Sequence, residues 1–141
     1  MELAKVREEF ERARTNRRSI TALRAEAESY RLMAQGSAIR YDKESVQTSP
    51  KDYQEEYLIK AADLDMKADA LVRKGYYTNA LLIRWLEVCT DEERIALIYH
   101  YINNVSYREI EFEYGDAFTD RSYVGIYRYA QRGMQRISEN F

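Results

Sequence analysis

VREEFERARTNRRSITALRAEAESYRLMA, residues 6–34, is the stretch on which the fold turns. Apolar or small side chains stand at Val6, Phe10, Ala13, Ile20, Leu23, Ala27, Tyr30 and Ala34. They follow a three-four alternation that falters only at Asn16-Arg17, the period of an amphipathic helix. A helix of ~35 residues reaches about 50 Å, too far for its apolar stripe to be covered by a small head alone. It needs a partner helix. Tyr57, Ala61, Leu64, Ala68, Leu71, Gly75 and Leu82 form a second stripe of the same period, so the simplest expectation is an antiparallel hairpin over residues 1–88. The other arrangement is pairing with a second copy of the chain.

Between the stripes, Gly36 to Ser49 mix a glycine, serines, a threonine and both charges, which predicts a polar loop over 36–50. Ser49, Pro50 and Asp52 then suit a helix start, as cap, first-turn proline and first-turn acid. Gly75-Tyr76-Tyr77 admits either a kink or an unbroken helix. With five Gly, one Pro and long runs rich in Ala, Leu, Glu, Arg and Lys, helix is the default state of the chain. The expected class is all-α.

A second region is expected over 90–141. Thr90 and Glu93 have capping-box spacing with acids in the first turn. Leu97 and Tyr101 lie among the apolar residues that follow, and Asn103-Asn104 ends that helix because Asn tolerates the left-handed conformation. Ser106 to Glu109 repeat the capping spacing and open a short helix closed by Gly115, and a last helix is expected from about Arg121 to Ser138. Three short helices of this kind, ending in an arginine-bearing one, describe a helix-turn-helix.

Composition narrows the function. Cys89 and His100 are the only residues of their types, so no intrachain disulfide, Cys/His zinc site or Cys-His catalytic pair is expected, and no cofactor. His100 lies in an apolar helical pattern and reads as structural. The chain is therefore expected not to be an enzyme. No stretch approaches the ~20 apolar residues of a membrane span, and Met-Glu-Leu-Ala-Lys at the start has no signal-peptide run, so a cytoplasmic protein without a membrane partner is expected. The net charge of −2 hides local asymmetry: Arg12, Arg14, Arg17, Arg18 and Arg24 lie in a stretch without acid, to which the pattern assigns no role.

The last helix carries the functional signal. Ile126, Ala130, Gly133 and Ile137 cluster on one side at 100° per residue, flanked by Tyr129 and Met134. The opposite side gathers Arg121, Val124, Arg128, Gln131, Arg132 and Gln135, with cations and amides and no acid. A merely solvated face usually mixes signs. Arg and Gln can read base edges or reach phosphates. Tyr123 and Tyr127 lie at the edge of the face, able to stack on sugar or simply to pack. Double-stranded DNA is the expected partner, bound by a homodimer because one recognition helix spans few base pairs.

At these residues the chain resembles the promoter-reading C-terminal domain of bacterial sigma factors, as used in phage-encoded regulators of the ArpU and RinA type. The resemblance rests on Asp91 to Tyr101, on Ser106-Tyr107-Arg108-Glu109-Ile110 and on Ile126-Tyr127-Arg128. It implies a phage or prophage regulator of late or packaging genes, acting in a bacterial host cell, with Ser122 to Arg132 forming the recognition element and RNA polymerase as a further partner. The connection Asp116 to Arg121 is longer than is usual in that family. A competing class is a helical assembly or adaptor protein of phage origin, a packaging subunit or an inhibitor of a host machine, using the hairpin as its contact surface.

Overall fold

Val6, Ala13, Ile20, Ala27 and Ala34 are buried at seven-residue intervals along α1 (Leu3–Lys43), and Ala61, Ala68, Gly75 and Leu82 along α2 (Pro50–Leu86). That spacing is the seam of two helices packed side by side. Shorter helices follow: α3 (Asp91–Leu97), α4 (Tyr107–Tyr114) and α5 (Tyr123–Asn140). The computed structural model describes residues 1–43 and 50–141, and among these there is no strand, so the protein is all-α.

The polar loop expected over 36–50 is shorter than the sequence suggested, because α1 runs on through Gly36 to Lys43. Gly36 faces open space, with nothing within 4 Å of where a Cβ would stand. A glycine there weakens a helix by about 1 kcal/mol and does not by itself end it. The cap expected at Ser49 lies outside the described residues. At Gly75 α2 is unbroken, and the missing side chain leaves room for Asn16, whose Nδ2 would stand 2.4 Å from a Cβ at that position.

The chain divides into two compact units, Ser19–Arg73 and the combination of Met1–Arg18 with Lys74–Phe141. The border is not the one expected near residue 89, since both ends of the hairpin belong with the short helices. In the first unit α1 and α2 are antiparallel: Arg24 reaches Asp69 at 3.6 Å, and further along Arg31 pairs with Asp65 and Tyr30 stacks on Tyr57 at 6.1 Å. The buried seam here is mostly alanine, which lets two helices approach closely.

In the second unit Val6, Phe10, Leu82, Trp85 and Leu86 join Leu97, Ile110, Ile126, Met134 and Ile137 in one core. The Phe10 ring lies 6.5 Å from Trp85 and 5.5 Å from Tyr101. Thr90 and Glu93 form the reciprocal capping box at the start of α3, and the Ser106 hydroxyl accepts from Glu109 N–H at the start of α4. After Leu97 the helix widens into a π turn over Ile98–Ile102, closed by Asn103 N–H donating to the Ile98 carbonyl at 2.9 Å. Asn104 then takes φ 56°, the left-handed turn that the asparagine pair predicts. The π turn buries His100 along with Tyr101. The His100 Nδ1–H donates to the Val105 carbonyl at 2.8 Å. Burial, with the nearby charges of Arg14 and Arg18, pushes the ring down to about 4.

α5 lies against α3 at Gly133. A Cβ there would stand 2.7 Å from Leu97 Cδ1 and 3.2 Å from Glu93 Cβ, so only glycine permits the approach. Glu93 is buried beside this contact. Burial opposes its charge, but Arg136, donating from Nε at 2.8 Å and from Nη2 at 3.1 Å, and the Thr90 N–H outweigh it and hold the carboxyl below its usual range. Cys89 Sγ sits over the Gly133 carbonyl at 3.6 Å, and burial pushes its thiol up to about 11.

Candidate nucleic-acid interface

The segment between α4 and α5 decides how α5 is presented, and side chains tie it down along its length. Gly115–Ala117 make a single 3-10 turn, after which Phe118 is buried and stacks on Tyr129 of α5 at 5.7 Å. Thr119 donates from N and Oγ1 to Glu92 Oε1 at 3.2 and 2.6 Å, which holds the Glu92 carboxyl below its usual range. Asp120 N–H donates to the Tyr129 hydroxyl at 3.2 Å. The connection that looked long in sequence is thus an anchored strap, with Phe118 as its plug.

The strap ends in the cap of α5. Asp120 Oδ1 accepts from Ser122 N and Oγ at 3.1 and 2.7 Å, and those bonds keep its carboxyl low. Ser122 Oγ in turn accepts from Gly125 N at 3.0 Å. A Cβ on Gly125 would fall 2.1 Å from Asp120 Cγ, so glycine is required for the strap to close over the first turn. From α4, Glu111 Oε2 accepts from Tyr123 N at 3.2 Å. Ser122 is therefore engaged in capping, and α5 begins at Tyr123 rather than at Arg121.

Ile126, Ala130, Gly133, Met134 and Ile137 of α5 are buried, the apolar side read from the wheel. Tyr123, Val124 and Tyr127 are 42, 41 and 48 % exposed, and Arg128, Arg132 and Gln135 are exposed beside them. Among the described residues Arg128 and Arg132 form no ion pair, and the Arg132 guanidinium lies over the Tyr129 ring at 5.8 Å. Arg121 departs from the expected ridge. It precedes the helix and pairs with Asp116 at 2.9 Å, where both side chains are well exposed. Such a pair contributes little to stability and exchanges readily for another anion. Gln131 is half-buried and its Oε1 accepts from Arg7 Nη2 of α1 at 3.1 Å.

Several participants are not marked by the sequence pattern. Arg108 of α4 lies over the Tyr123 ring at 5.2 Å, and Phe112 beside it is 89 % exposed. Arg7, Arg14 and Arg18 of α1 reach the same unit, through Gln131 and Asn104. No periodicity in one helix can report a contact between residues more than 80 positions apart, so the available signal for Arg14 and Arg18 was the acid-free run they belong to, and Arg7 had none. Among the described residues no three or more His, Cys, Asp or Glu side chains converge as a metal site, and no helix is long and apolar enough to cross a membrane. No protein family, curated protein or solved structure matches the chain.

Proposed function

We propose that the protein is a sequence-specific DNA-binding transcription regulator that lays the exposed face of α5 in the major groove. The observation that carries this reading is the state of Arg128 and Arg132. Both are exposed on one side of α5, neither is ion-paired among the described residues, and no acid occurs from Arg121 to Ser138. Glu109, Glu111 and Glu113 form no ion pair with Arg128 or Arg132 there, and the charges of Asp120 and Glu92 act on these two arginines without closing an ion pair. A guanidinium on such a ridge can reach guanine O6 and N7 with two parallel bonds, or bridge phosphates. The resemblance to phage regulators of the ArpU and RinA type makes late or packaging genes the proposed target and RNA polymerase a proposed second partner. A homodimer is proposed because one helix covers too few base pairs for useful discrimination.

Selection of bound sequences from random duplex DNA tests the reading. Enrichment of a motif, with two half-sites if the dimer is correct, is the expected result, and the absence of binding at low ionic strength overturns it. The second reading, a helical assembly or adaptor protein, draws on Ile59 and Met66, seven residues apart on one side of α2 and 61 and 68 % exposed. That apolar surface would then be the contact site, and the protein would bind no duplex selectively.

A further inference from the structure

Between Arg12 and Arg24, α1 carries five arginines and no acid, and their surroundings differ. Arg12 pairs with Glu8 and Glu9 at 3.4 and 2.7 Å, and Arg24 pairs with Asp69 at 3.6 Å. Arg14 and Arg18 instead both donate from Nε to one uncharged atom, Asn104 Oδ1, at 3.3 and 3.1 Å. Neither has an ion pair among the described residues, and there the Nη groups of both lack hydrogen-bond partners. Two cations meeting on a single neutral acceptor remain uncompensated, and their free forks have the geometry that matches phosphate oxygens.

Asn104 is a fixed anchor, held at φ 56° directly after the π turn. It stands two residues before Ser106, the cap of α4, and the next residue, Tyr107, meets Tyr127 of α5 edge-on at 5.5 Å. Arg7 lies within about 40° of Arg14 and Arg18 around α1 and donates to Gln131 at 3.1 Å. The row therefore borders the exposed face of α5 along its Tyr127–Gln131 edge. Glu11 is the acid on this side of α1, exposed and without an ion pair among the described residues. The charges of Arg14 and Arg18 add to burial in keeping His100 neutral.

We infer that Arg14 and Arg18, splayed on Asn104, form a clamp for a phosphate of the duplex backbone flanking the groove that α5 enters. The clamp rests on the DNA-binding reading and adds to it a contact from the long first helix. Because phosphates carry no base identity, it sets affinity and register rather than sequence choice.

The experiment compares wild type, Arg14→Gln/Arg18→Gln, Arg14→Lys/Arg18→Lys and Asn104→Asp on a selected duplex and on a random one, by anisotropy at several salt concentrations. Loss of the clamp makes the slope of log affinity against log salt shallower by about 0.9 for each lost contact, and weakens binding about tenfold per contact near 0.1 M salt. The Gln double variant is expected to show this equally on both duplexes, and the Lys double variant to keep most of the slope. Asn104→Asp retains both arginines but gives them an internal carboxylate, so it is expected to behave like the Gln variant. An unchanged slope in a folded Gln variant, or wild-type binding by Asn104→Asp, overturns the clamp while leaving the DNA-binding reading intact. If the Gln variant does not fold, Asn104→Asp decides. If wild type binds no duplex, the DNA-binding reading itself has failed and the clamp falls with it.

Discussion

Arg128 and His100 are both basic, and their surroundings give them opposite work. Arg128 projects from α5 away from its buried side. Arg128→Ala is expected to leave the folding stability within about 0.5 kcal/mol of wild type, because it removes an exposed charge, and to lose about 1 to 3 kcal/mol of discrimination per half-site. Melting curves and titrations on a selected duplex check both, and equal affinity for the variant would remove Arg128 from the reading face. His100 is buried and holds Val105 through Nδ1–H, and its ring is depressed from the usual 6.5 to about 4. The unfolded chain therefore binds a proton between those values that the folded chain refuses. Stability from this residue is full above pH 6.5 and is lost as pH falls toward 4, amounting to roughly 3 kcal/mol across the window. Denaturant melts between pH 7 and 5 isolate it, since carboxylates titrate mainly lower. His100→Gln is expected to flatten the dependence there, and an unchanged slope would show that another group carries it.

Among the elements, two glycines make opposite predictions. Gly133 is where α5 touches α3, and a methyl group would meet Leu97 and Glu93. Gly133→Ala is expected to destabilise the fold by about 1 to 3 kcal/mol, despite alanine's better helix propensity, because the core must open to admit it. Gly36 lies inside α1 facing open space. Gly36→Ala is expected to stabilise by about 0.5 to 1 kcal/mol through propensity alone. Denaturant titration of both variants measures the contrast, and similar signs would contradict either the α3–α5 approach or the continuation of α1. Caps were legible in sequence because they are local: Thr90 with Glu93, and Ser106, act within four residues. The strap before α5 was not, because its anchors are Glu92 and Tyr129, reached only after folding.

Copies of the chain are expected to associate. A regulator that reads two half-sites needs two protomers, and the exposed Ile59 and Met66 of α2 offer apolar surface for the contact. Sedimentation at tens of micromolar is expected to give a dimer mass, and Ile59→Asp with Met66→Asp to shift it toward monomer while the helical signal is retained. A monomer at every concentration would remove the dimer from the proposal. With about two or three phosphate contacts per protomer on α5 and the strap, and the α1 clamp in addition, the salt slope for a dimer is expected to be steeper than −4.

Composition, apolar period and cap spacing are enough to show that the chain is helical, which faces of α1, α2 and α5 turn inward, and where the caps at Thr90 and Ser106 fall. Each is a property of neighbours within two turns. The sequence also singled out Arg128 and Arg132 as a sign-pure face, because acids are absent from that stretch. Packing between distant segments brings both ends of the hairpin into the core of the short helices and turns Ser122 and Asp120 to the cap of α5. It alone paired Arg121 with Asp116 and brought Arg14 and Arg18 together on Asn104. The difference is one of range. A helix fixes its own face through bonds four residues apart, whereas the charge left unpaired on that face depends on which distant side chains the packing brings beside it.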